Sequence, residues 1–146
     1  MKEIRHRTTN AVLAEVPGDT LAGGNLAWMN LRGADLWDAD LRGADLSDDT
    51  VMPGGETWRV YREVVVYDLL RAGGRTVREI AEAGAWDCHA WENCPMAVAF
   101  GVHGPDDVPA LYAPRVKEFV ALFDADLLGP WVLVAALARE QAEQAP

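Results

Sequence analysis

Cations are scarce in this chain: 13 Lys and Arg stand against 23 Asp and Glu, for a net charge of −10. Binding nucleic acid through its phosphates needs the opposite sign, so that class of partner is not expected. Long hydrophobic runs are missing too. The longest, around Leu127–Ala138, is short and is interrupted by Gly129-Pro130, so no membrane span is expected. The opening residues MKEIRHRTTN hold no apolar core, which argues against an export signal. Cysteine is limited to two residues, and with no such signal that usage suggests a reducing cytoplasm. Neither Gly54-Gly55 nor Gly73-Gly74 has the lysine or the spacing of a phosphate-binding loop.

What the chain does have is a substantial apolar fraction, 50% of its residues, including six Trp, enough for a packed core. It also has a period. Leu21, Leu26, Leu31, Leu36, Leu41 and Leu46 recur every five positions, with Val51 one step beyond. Neither a helix, with its period of 3.6, nor a strand, with its period of 2, produces that spacing, so it marks a repeat architecture. The stretch reads LAGGN-LAWMN-LRGAD-LWDAD-LRGAD-LSDDT. It resembles the A(D/N)Lxx pattern of pentapeptide-repeat proteins.

That resemblance implies a right-handed quadrilateral β-helix, four pentapeptides to a coil. The Leu and the small residue two before it then point inward. Gly24, Ala34, Ala39 and Ala44 hold the small position, Met29 departs from it, and Asn25, Asn30, Asp35, Asp40 and Asp45 precede the Leu residues. Six pentapeptides make one and a half coils, a platform on the order of 7–10 Å tall. A unit that short needs its ends covered. Residues 2–16 read as two strands around a Thr8-Thr9-Asn10 turn, a hairpin cap. Pro53-Gly54-Gly55 breaks the period at the other end and sets a boundary near residue 52.

Residues 53–146 read as a helical domain. Trp58, Tyr61, Val65 and Leu69 lie along one stripe of a helix over Thr57–Arg71, although Val64-Val65-Val66-Tyr67 would also suit a strand. Thr76-Val77-Arg78-Glu79 is a capping box for a short helix ending at Gly84. Val116, Phe119, Val120, Phe123 and Leu127 predict a helix over Arg115–Leu128, opened by Pro114. Trp131–Ala138 is apolar on every side, so core, the repeat or a second subunit must cover it.

Chemistry-bearing residues concentrate in Trp86–His103, WDCHAWENCPMAVAFGVH. Cys88, His89, Cys94 and His103 are ligand types that suit zinc, though the cysteines are spaced poorly for it. Cys94 could instead be a nucleophile, activated at the start of a helix opened by Pro95, with His89 or His103 as base. A disulfide or redox switch between Cys88 and Cys94 is a third reading. The plain alternative is packing, with Trp86 and Trp91 filling core while their N–H groups find carbonyls. Phrases such as HAWENCPMAVAFGVH and VPALYAPRVKEFVALFDADLL resemble uncharacterised pentapeptide-bearing proteins of actinobacteria and their phages.

These readings converge on an α+β protein: hairpin cap and pentapeptide β-helix stub over residues 1–52, then a compact helical domain. The expected function is a non-catalytic, cytoplasmic protein-interaction module that needs no cofactor. Its partner is another protein or a second copy of itself. The contact surfaces expected are Trp28, Trp37, Asp35, Asp40 and Asp45 on the repeat, with Trp131 and Leu133 on the last helix. Cover of the two repeat tryptophans by the helical part is the favoured expectation. The alternatives are a small enzyme or zinc protein centred on Cys94 and an acidic DNA mimic, for which the repeat is short.

Overall fold

A computed structural model describes residues 1–36, 39–84 and 90–144. Strands β1 (Lys2–Arg5) and β2 (Val12–Val16) pair antiparallel, with an irregularity between Ile4 and Arg5. Asn10 closes the connection at φ 61°, the left-handed conformation that asparagine tolerates. His6 fastens the turn by accepting at Nδ1 from the amides of Thr8 and Thr9. The hairpin then docks on the repeat. Arg7 N–H donates to the Gly33 carbonyl and Asp35 N–H to that of Arg5. Gly33 is required there, because a Cβ would collide with the His6 ring.

The repeat buries Leu21, Leu26, Leu31, Leu36 and Leu41 on its axis, together with Ala34 and Ala44. The residue before each Leu has a local task. Asn25, Asn30 and Asp40 accept through Oδ1 from the amides of Ala27, Arg32 and Arg42, two positions beyond. These are Asx turns, the reason this slot favours Asn and Asp. Successive coils meet through parallel bridges, Asn25 with Asp45 and Asn30 with Val51. Leu26 N–H donates to Asp45 O and Leu31 N–H to Val51 O. The regular solenoid implied by the resemblance is not formed. Among the described residues, the repeat contains isolated bridges and no strand. With one and a half coils, no residue has a coil on both sides and a third have none on either, so ladders cannot extend.

The helical part begins with α1 (Trp58–Val60), which widens into a π-helical turn over Tyr61–Val65 and continues as α2 (Val66–Arg71). The strand alternative for the valines is not taken. The extra residue in the π turn shifts the stripe: Val65 is only half-buried, while Val66, Tyr67, Leu69 and Leu70 enter the core. Helix α3 (Val77–Glu82) carries the expected capping box, with Thr76 and Glu79 bonding reciprocally. Helix α4 (Pro95–Phe100) has Cys94 as its N-cap residue and Gly101 in the left-handed conformation at its end. Helix α5 spans Ala113–Asp124, shorter than its periodicity predicts. Asp126 turns left-handed at φ 61°, and the amides of Leu127 and Leu128 both close on Leu122 O, which ends the helix.

Helix α6 runs Pro130–Gln144 and packs on α2 and α3. One face supplies Val132, Leu133 and Ala136 to the core; the other leaves Val134 69% exposed and Trp131 49% exposed. Core is therefore the cover for half of this helix, and Leu133 belongs to the interior rather than to a contact surface. A single buried cluster runs from Ile4 to Ala136 across both parts of the chain. Among the described residues, no helix is long and apolar enough to cross a membrane.

Candidate functional site

At residues 23, 28, 33 and 43, the third places of four pentapeptides, the chain turns a corner with positive φ. Gly23, Gly33 and Gly43 occupy it at 71°, 76° and 72°. Trp28 occupies the same place at φ 67°. For a bulky residue this is an outlier that costs on the order of 1 kcal/mol or more, and glycine would relieve it. The backbone is held there from the next coil: Trp28 N–H lies 3.0 Å from Ser47 Oγ and 3.2 Å from Thr50 Oγ1. Thr50 is fully buried, accepts from Ser47 N–H as well, and donates to Leu26 O. One hydroxyl thus serves both coils with its full bonding capacity. The indole gains no cover in return. Trp28 stands 73% exposed, against the expectation that the helical part covers it.

Elsewhere on the repeat, Asp45 and Asp35 are exposed, while Asp40 is engaged locally. The Arg42 guanidinium bonds Asp40 at 2.9 and 2.7 Å, and these bonds lower the Asp40 carboxyl to about 2. Trp37 lies outside the described residues, as do Trp86, Cys88 and His89.

The Cys94 region does not assemble a nucleophile. Cys94 is fully buried and disulfide-bonded, a state with no thiolate to activate. The bond also sits poorly with the reducing setting expected from the sequence. His103 is exposed on the loop before the 3₁₀ turn Pro105–Asp107. Trp91 packs against the core and donates from Nε1 to Val102 O at 3.0 Å, the structural role considered for it. Among the described residues, no group of three or more His, Cys, Asp or Glu could hold a metal ion.

Two charged clusters escaped sequence reasoning. At the junction of the parts, Arg115 on α5 grips both oxygens of Glu56 at 2.5 and 2.9 Å and reaches Glu118 Oε1 at 3.3 Å. Gly54 leaves room for this, since a Cβ would collide with the guanidinium. Glu118 is only 4% exposed. Burial is the main cause that pushes its carboxyl up to about 7; Arg115 opposes the rise and Glu56 adds to it. Burial likewise raises the Tyr61 phenol, whose hydroxyl has no partner among the described residues. The signal was present but faint: Arg115, Glu118 and buried Leu122 share one helix face at i, i+3 and i+7. Farther along, Glu140 on α6 is 2% exposed and accepts from the amides of Val77 and Arg78 at 2.8 and 3.3 Å. It completes the cap of α3, where the capping box alone leaves donors unsatisfied.

The five-residue sequence period has a counterpart among known families. The family described as pentapeptide repeats (8 copies) matches residues 20–48. Residues 20–48 are pentapeptide repeats. The matched stretch is shorter than the eight copies of the description, and it does not extend to the helical part or carry a source organism with it. No curated protein and no solved structure matches the chain.

Proposed function

We propose that this chain is a non-catalytic protein-interaction module. Its pentapeptide stretch acts as the stub of a right-handed quadrilateral β-helix that presents Trp28 to a partner. The observation that carries the reading is Trp28 itself: a bulky residue held at a glycine-type φ of 67° and left 73% exposed. Strain without packing in return is the mark of a position retained for something outside the fold. An exposed tryptophan on a rigid support is the residue type most enriched among binding hot spots. The pairing of Asn25 with Asp45 and of Asn30 with Val51, about one four-pentapeptide coil apart, supports the β-helix part of the reading. The partner proposed is another protein, with a second copy of the chain as the alternative, and no cofactor is needed.

The test separates folding from binding. Trp28→Gly should leave the thermal midpoint unchanged or raise it, because glycine accepts the left-handed corner. The same variant should lose complexes that native mass spectrometry detects at fixed stoichiometry with the wild-type protein and with Trp131→Ala. Complexes that survive Trp28→Gly unchanged would sink the reading, as would a marked loss of stability, which would make the indole structural.

A further inference from the structure

A second feature adjoins the junction cluster, with Glu118 belonging to both. A cavity of about 350 Å³ opens between the repeat and the start of α5, walled by Ala34, Leu36, Ala110, Ala113 and Pro114. Its polar lining is Arg7, Asp35, Lys117 and Glu118. The volume lies at the small end of the range for ligand sites, and the mixture of apolar walls with a few converging polar groups is typical of them. Helix α5 is 12 residues long, and its N-terminal end, which this cavity meets, carries no side-chain cap. The partial positive charge of that end adds to Arg7 and Lys117.

The charges sort into a recognisable set. Arg7 is exposed, its backbone fixed by the bond to Gly33 O, and its guanidinium charge acts on Glu118. Lys117 lies 3.6 Å from Asp106 at the rim. Glu118 lines the cavity although it is only 4% exposed, and Arg115 occupies its Oε1. The groups that face Glu118 are Glu56 from the chain entering α1, Tyr61 from the π turn after it, Arg115 and Lys117 from α5, Arg7 from the hairpin and Asp35 from the repeat. Burial makes the ionised form of such an acid costly and so favours its proton.

We propose that this cavity binds a small aliphatic carboxylate, with its charge on Arg7 and Lys117, its carbon chain on Leu36 and Pro114, and the protonated Glu118 donating to it. The acid form of Glu118 supplies a hydrogen bond where the ionised form would repel the ligand. Binding therefore takes up a proton near neutrality, consistent with a carboxyl that titrates at about 7. The proposal is independent of Trp28, which lies on another coil corner.

The experiment is isothermal titration of the full chain with butyrate and with uncharged butyramide, at about pH 6 and about pH 8. Butyrate should bind saturably and about tenfold more weakly at the higher pH, while butyramide should not bind. Arg7→Ala, at an exposed position, should weaken butyrate at least about tenfold at both pH values. Glu118→Gln should keep the site and flatten its pH dependence. Should that variant fold poorly, the wild-type titration repeated near pH 7 in buffers of different ionisation enthalpy reads the same event as proton uptake. Equal binding of butyramide, no saturable heat with butyrate, or binding without proton uptake would each overturn the proposal.

Discussion

In the repeat, Asn30 accepts from the amide of Arg32, two residues on. In the helical part, Glu140 accepts from the amide of Val77, 63 residues back. The contrast recurs in the contacts that tie each part together. Repeat contacts are local or lie one coil away, as with Leu26 and Asp45. The helical part adds distant polar contacts to its local helix pairs: Arg115 with Glu56 across 59 positions, and Tyr67 donating to Glu143 across 76. One region is specified by a period and the other by individual residues, so they should fail differently when altered.

The largest effect belongs to the repeat's axis. Leu31 is fully buried, and Leu31→Ala should cost about 4 kcal/mol in urea unfolding, transfer and cavity terms together. A loss below about 1 kcal/mol would mean that the coils contribute little to the common core. Next comes the junction. Glu118 titrates at about 7 when folded against 4.5 as its ordinary value. Between those values the folded chain holds a proton that the unfolded chain has lost. This group's contribution is therefore greatest below about pH 4.5, falls by on the order of 3 kcal/mol as pH rises to about 7, and is flat above. Unfolding curves for wild type and Glu118→Gln across that window should diverge in slope; parallel curves would show that the carboxyl is not perturbed.

A smaller loss, about 2 kcal/mol, is expected for Glu140→Ala, which strips the Val77 and Arg78 amides of their acceptor. Hydrogen exchange should localise that loss to α3, and uniform loosening instead would refute the capping role. The smallest is Asn30→Ala. Its exposed turn bond should be worth about 0.5 kcal/mol, so a drop comparable to Glu140→Ala would erase the contrast between the regions.

The same contrast explains what could be read from sequence. The Leu period, the hairpin with Asn10 at its turn and the Thr76 capping box were all legible, because each pattern is completed within a few residues. The length of α5 was less so: apolar spacing continues to Leu127, while the left-handed turn at Asp126 has no periodic signature. The π turn at Tyr61–Val65 was invisible for a similar reason, since it shifts a stripe without breaking it. At the candidate sites, Trp28 was legible as an outward residue, but its strain depends on Ser47 and Thr50 from the neighbouring coil. Glu118 and Glu140 drew no reading from the sequence, since single acids on a helix carry no periodic signal of burial. Only the packing of other elements over them makes them interior groups.

The reach of Glu140 also sets an order in time. The coil-to-coil bonds of the repeat join residues about 20 positions apart, so that part can close while later residues are still being synthesised. The start of α3 cannot be completed until a residue 63 positions downstream has been made and has docked. Newly made chain between the two therefore waits with its amides and apolar faces open, the interval in which nascent helical segments are most exposed to wrong partners.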